Sequence, residues 1–154
     1  MDISTRVEGM DGPHLIFAAV FSVANRLQRV LDSLMPQITT RQWWLLVILS
    51  LFDKPPTLTE LSKAADTSHQ NTRQILNKLV EKGFIHIIPD PSDVRAYRIV
   101  TTDLVSQWGA ETSHAADELM RAMYAGIEPQ DIETVGSSLI RIHQNLGHIE
   151  QGEQ

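Results

Sequence analysis

Cysteine is absent from the 154 residues. That excludes four classes at once: disulfide-stapled scaffolds, thiolate zinc sites, cysteine nucleophiles and cysteine redox sensors. A membrane-length apolar run is missing too. The longest runs, Leu15–Val23 and Trp43–Phe52, are each broken by one serine, Ser22 and Ser50, and fall short of the ~20 residues a spanning helix needs. Both are expected to be buried helix segments. Asp2, Glu8 and Asp11 precede the first apolar run, which is the wrong charge for the basic start of a signal peptide. A cytoplasmic chain with no membrane partner is expected. There is no Gly-rich phosphate loop, no Ser/His/Asp arrangement in a recognisable turn and no paired-carboxylate motif, so an enzyme has no support in the sequence. The six histidines (His14, His69, His86, His114, His143, His148) form no His-x3-His pair. The nearest approach to ligand spacing is His114 with Asp117 or Glu118. Neither metal nor cofactor is expected.

Positive charge is also scarce, with a net charge of −6, but it is unevenly spread. Residues 54–101 hold seven Lys/Arg against five acids and are +2, which leaves the remainder at −8. An acidic body with a mildly basic middle can present one face to a polyanion and repel it elsewhere. What is present fits a folded chain: 42% hydrophobic and 21% charged residues, eight glycines and seven prolines. The length suits one compact domain, or a small one with appended dimerisation helices.

The punctuation divides the chain clearly. A first helix is expected from about His14 to Met35, stopped by Pro36. Its stretch from Leu15 to Ala24 is apolar on nearly all sides, whereas a surface helix shows one apolar stripe. A second subunit is the economical cover. Thr39-x-x-Gln42 reads as a capping box opening a second helix to about Phe52, and Thr57-x-x-Glu60 opens a short third to about Ala65. After an Asp66-Thr67 turn, Ser68 caps a fourth helix that runs to Lys82 and stops at Gly83. Phe84–Ile88 and Ala96–Val100 flank a turn-rich tip and read as a β-hairpin. Thr102 caps a fifth helix to about Ala125. A sixth runs from Pro129 to about Leu146, with a polar tail from Gly147.

Two short helices joined by a tight turn and followed at once by a hairpin form a winged helix-turn-helix. On the fourth helix Thr72, Ile75, Leu76, Leu79 and Val80 share one face, while Gln70, Arg73, Gln74 and Asn77 fall on the other. Such a helix fits the major groove. There His69, Gln70, Arg73 and Gln74 would meet base edges, and Ser68, Asn77 and Lys78 would meet phosphates. From the helix alone, the same residues fit the wet face of an ordinary amphipathic helix equally well.

From roughly Leu15 to Leu146 the chain resembles the MarR family of transcription regulators. The stretches that carry the resemblance are Ile38-Thr39-Thr40-Arg41-Gln42-Trp43, Leu58-Thr59-Glu60-Leu61, Leu79-Val80-Glu81-Lys82-Gly83-Phe84-Ile85 and, most specific, the wing Asp90-Pro91-Ser92-Asp93-Val94-Arg95-Ala96. The resemblance implies a mainly α fold with a small β-hairpin wing. Residues 36–101 would be a winged helix-turn-helix, and residues 1–35 and 102–154 the N- and C-terminal dimerisation helices. It implies a homodimer on a pseudo-palindromic operator in double-stranded DNA, acting as a repressor released by a small ligand. Arg95 would enter the minor groove, whose negative potential favours a guanidinium, with Asp93 as its positioning partner. Family members bind small anionic or aromatic effectors, and here Phe17, Arg41, Trp43, Trp44 and Met120 are the candidates. The core reading is the stronger, since adjacent tryptophans on a buried helix usually belong to the core. Three departures stand out: Val94 and Ile87 replace frequent arginines, and Thr101 replaces a leucine. The lost charge and the −8 body suit a rival reading, a winged-helix protein-interaction module that does not bind DNA.

Overall fold

A computed structural model describes residues 9–93 and 95–152. The chain forms two compact units that divide after Thr112. The first holds α1 (Gly12–Leu34), α2 (Thr40–Ser50), α3 (Leu58–Ala64), α4 (His69–Glu81), the hairpin β1 (Ile85–Pro89) and β2 (Tyr97–Thr101), and the start of α5 (Asp103–Met123). The second holds the rest of α5 and α6 (Pro129–Glu150). This is the mainly α fold with a hairpin wing that the sequence implies. Among the described residues no helix is long and apolar enough to cross a membrane.

The helix starts follow the sequence signals closely. Thr39 and Thr57 each close a reciprocal capping box, with Gln42 and Glu60 respectively, and the Ser68 hydroxyl accepts the Asn71 N–H. Each such cap satisfies a backbone donor that the helix itself leaves open. The end of α4 is closed from both sides of Gly83. The Gly83 N–H reaches the Val80 carbonyl and the Phe84 N–H reaches that of Leu79, with Gly83 at φ +78°. This left-handed closure favours glycine. It also shifts β1 one residue later than the sequence suggests, because the Phe84 amide belongs to the helix end.

The core of the first unit lies beneath α2, α3 and α4. Leu45, Leu46, Ile48 and Leu49 of α2 are buried with Leu61, Leu76, Leu79, Phe84, Ile85 and Ile99. Each full burial of such a side chain is worth about 1.5–3 kcal/mol. Val80 is the exception to the predicted apolar face of α4, at 40% exposed. At about 100° per residue it stands beside the Thr72–Leu76–Leu79 stripe and not under it. The hairpin is antiparallel, pairing Ile85 with Thr101 and Ile87 with Ile99. The Ile99 N–H also donates to the Pro56 carbonyl at 2.9 Å, which pins the wing to the loop before α3.

Thr102 stands directly before α5, where the sequence expects the cap, and its hydroxyl donates to the Gly83 carbonyl at 2.7 Å, joining the start of α5 to the end of α4. Two further expectations are corrected. α6 continues to Glu150, so the polar residues from Gly147 extend the helix. Trp44 is 46% exposed while its neighbour Trp43 is half-buried, so the tryptophan pair straddles the edge of the core. Trp108, which no motif in the sequence singles out, is buried edge-to-face against Phe84.

Candidate nucleic-acid interface

α4 and the wing frame a cleft of about 430 Å³. Arg73, His69 and Asn77 line it from α4, Thr57 and Thr59 from the start of α3, and Ile87, Arg95 and Tyr97 from the wing. Among the described residues no carboxylate lines it. Among the described residues, Arg73 and Arg95 have no ion-pair partner. Two exposed guanidiniums facing one cleft without counter-charge repel each other, an arrangement that an anion relieves. The His69 Nε2 lies 3.2 Å from the Thr59 hydroxyl, which latches α4 to α3 at the mouth of the cleft.

The other predicted contacts fall on the outer face of α4. Gln70 and Gln74 are exposed there. Lys78 is exposed but already paired with Glu81 at 2.8 Å, so its charge is partly met within the helix. The Ser68 hydroxyl oxygen accepts the Asn71 N–H as the helix cap, which leaves its proton to donate to a phosphate.

The wing tip is held by two aspartates. Asp93 accepts the Arg95 backbone N–H at 2.9 Å, and its carbonyl accepts the Ala96 N–H. The carboxylate therefore fixes the backbone beneath Arg95 and does not pair with the guanidinium. Val94, one of the departures noted in the sequence, lies outside the described residues. The other two are placed: Ile87 is exposed in the cleft, and Thr101 ends β2 opposite Ile85.

Asp90 escaped the sequence reading as a functional residue. The residue is 5% exposed, and its carboxylate accepts the Ser92 hydroxyl and backbone N–H at 2.6 and 2.7 Å. It also pairs with the Arg98 guanidinium. These contacts, the Ser92 hydroxyl foremost, pull its pKa down to about 2. Arg98 reaches on to Glu60 at 3.1 Å and to the Pro55 carbonyl at 3.2 Å. Glu60 is itself held below the ordinary carboxylate range, chiefly by the Thr57 backbone N–H. One chain of contacts thus runs from the wing base to the capping box of α3. Nothing in the spacing of Glu60, Asp90 and Arg98 along the sequence signals it.

The five effector candidates are scattered. Arg41 and Trp44 line a cleft of about 390 Å³ between α2 and α4 that neither Trp43 nor Phe17 lines. Phe17 is 68% exposed on α1, edge-to-face with Phe21. Met120 is exposed on α5 in the second unit. His114, the best-spaced histidine, lies 3.6 Å from Glu118. Among the described residues no group of three or more His, Asp or Glu could hold a metal.

Residues 37–96 match the MarR family model, and no curated protein matches the chain. Three solved structures illustrate the likeness of fold. A MarR/EmrR family regulator from Acinetobacter sp. ADP1 is 18% identical, covering 90% of this chain and 99% of the other, with a TM-score of 0.77. A MarR regulator from Methanosarcina mazei Go1 is 19% identical, covering 88% and 99%, with a TM-score of 0.72. BpsR of Bordetella bronchiseptica is 18% identical, covering 87% and 94%, also with a TM-score of 0.72.

Proposed function

We propose that this chain, whose residues 37–96 belong to the MarR family of transcriptional regulators, binds a pseudo-palindromic operator in double-stranded DNA as a homodimer. The observation that carries the proposal is the acid-free cleft in which Arg73 of α4 and Arg95 of the wing face the same space. A helix in the major groove and a wing in the adjacent minor groove straddle one sugar-phosphate strand, and a cleft of this charge suits that strand. His69, Gln70, Arg73 and Gln74 are the base-reading candidates. Ser68, Asn77 and Lys78 are the phosphate candidates, and Asp93 holds the backbone beneath Arg95. The homodimer, with residues 1–35 and 102–154 as its dimerisation helices, is supported by α1, which exposes Ile16, Phe17, Val20, Phe21 and Val23. We read the regulator as a repressor released by a small ligand. The regulation of BpsR's DNA binding by 6-hydroxynicotinic acid is the precedent, and the exposed Trp44 is a surface such a ligand could use.

The test is a matched-salt titration of a duplex recovered by the protein from a random pool. Arg95→Ala should weaken binding by ~1–3 kcal/mol while helical content and dimer mass are unchanged, because one groove contact and no core packing is lost. Full affinity in that variant would remove the wing from the interface. Absence of salt-dependent duplex binding by the parent would favour the protein-interaction reading.

A further inference from the structure

The wing cleft occupies one flank of α4. On the opposite flank, where α4 meets the start of α2, two adjoining depressions of about 460 and 390 Å³ lie side by side, and Arg41 lines both. Gln74 and Lys78 line the first, Trp44 and Thr67 the second. Glu81, an acid at the edge of the first, is engaged with Lys78, so the charge left unmet is that of Arg41. Its side chain is exposed and has no carboxylate partner among the described residues. It stands in the first turn of α2, where a cation opposes the helix dipole and the fold gains nothing from it.

A duplex groove has two phosphate walls. The major groove is about 12 Å wide and a helix with its side chains about 10–12 Å across, so a helix seated in it has one strand's backbone along each flank. If the wing cleft takes one strand, the other passes the flank that carries Arg41. We propose that Arg41, with Lys78 beside it, clamps the phosphates of this second strand. The inference rests on the DNA-binding reading above. Arg41 is a positioning residue that reads no base. Its planar fork suits a phosphate in two-pronged contact, whereas Lys78, shared with Glu81, adds a point charge. Gripped on both flanks, α4 cannot roll in the groove, and its rotation decides which of Gln70, Arg73 and Gln74 meets a base edge. Arg41 thereby leaves the set of effector candidates.

The experiment uses the full chain and a duplex recovered from a random pool, remade as a series with one uncharged methylphosphonate in place of each phosphate in turn. The parent should show two runs of sensitive phosphates per half-site, one on each strand. In Arg41→Ala the run away from the wing should fall silent, affinity should drop roughly 3- to 10-fold, and the log K against log salt slope should shrink by about 2 units per dimer, as the loss of one phosphate contact per subunit requires. Arg41→Lys should restore the slope. Should Arg41→Ala lose helical content, the uncharged, helix-compatible Arg41→Gln gives the same reading. Both runs and the parental slope persisting in the Arg41 variants, while Arg95→Ala silences its own run, would overturn the clamp and leave the DNA-binding reading standing. A parent that binds no duplex would overturn both.

Discussion

In residues 36–101 each of the three helices opens on a side-chain cap, and α2 to α4 share a sealed apolar core. By contrast, α1 buries only Leu31 and α6 buries nothing, while Phe17, Val23, Val135, Ile140, Leu146 and Ile149 stand 55–70% exposed. The charge divides the same way, mildly basic over residues 54–101 and strongly acidic elsewhere. The winged segment is sealed largely from within, with Trp108 of α5 and Asp32 of α1 completing its edges. The terminal helices carry apolar surface on a scale that soluble proteins reserve for contact with another apolar surface. The two regions should therefore fail differently when damaged.

The largest expected effect breaks the comparison at its apolar side. The double substitution Phe17→Glu, Phe21→Glu places charge on the exposed face of α1, far from the α2–α4 core. Light scattering at micromolar concentration should show the mass fall from dimer to monomer, since obligate interfaces commonly bury ~2,000 Å² or more and do not tolerate unpaired charge. Operator affinity should fall by ~10²–10⁴, because two linked half-site contacts become independent ones. The cooperative unfolding of the winged segment should survive. A parent that is already a stable monomer would dissolve the distinction between the two regions.

Local signals were the legible ones. Thr39-x-x-Gln42, Thr57-x-x-Glu60 and Ser68 fix helix starts through bonds spanning three residues, and a pattern that short is written directly in the sequence. Gly83 likewise announces its own turn. The grouping of Arg73 with Arg95 was half legible, because the motif names both residues but only the folded hairpin sets them across one cleft. The Glu60–Arg98–Asp90 chain was not legible, since its members meet through tertiary contact across 38 and 8 positions. Asp32 is similar. Its carboxylate accepts the Thr40 N–H and hydroxyl, both at 2.7 Å, which tethers α1 to α2 and lowers its pKa, the Thr40 N–H chiefly. For Arg41 the family resemblance points to an effector crevice, and only the folded chain sets it beside Gln74 and Lys78 on the flank of α4.

A smaller effect sharpens the comparison within the winged segment. Arg73 is unpaired in its cleft, whereas Lys78 is engaged by Glu81. Arg73→Ala should cost ~1–3 kcal/mol on the best duplex and relax preference at one or two base positions per half-site, as loss of a two-pronged base contact does. Lys78→Ala should weaken selected and random duplexes alike and lower the salt slope by ~1–2 units per dimer. Its cost should be the lesser of the two, because the exposed pair it breaks is worth only ~0–1 kcal/mol and Glu81 already offsets part of its charge. Equal losses from both variants on selected and random duplexes would mean that α4 anchors without reading.

The smallest effect appears only in acid and belongs to the winged segment alone. The carboxyl of Asp90 is held near pKa 2 by Ser92 and Arg98, below the value of about 3.9 expected in the unfolded chain. A carboxylate depressed in this way stabilises the folded state fully above the unfolded value. That contribution fades as the pH falls from about 4 through the folded value near 2. Glu60 is shifted in the same direction by Thr57 and, to a lesser extent, Arg98, so its contribution too is lost as the pH falls. Asp90→Asn keeps the shape but not the charge. It should lower stability at neutral pH, as followed by denaturant titration, and make the decline between pH 4 and 2 shallower. Arg98→Met should produce a milder version, because the Ser92 contacts to Asp90 remain. Both variants should lose operator affinity less than Arg95→Ala does, since they loosen the base of the wing and leave its guanidinium in place. An Asp90→Asn protein with the parental acid limb would mean that the chain from wing to α3 carries no stability of its own.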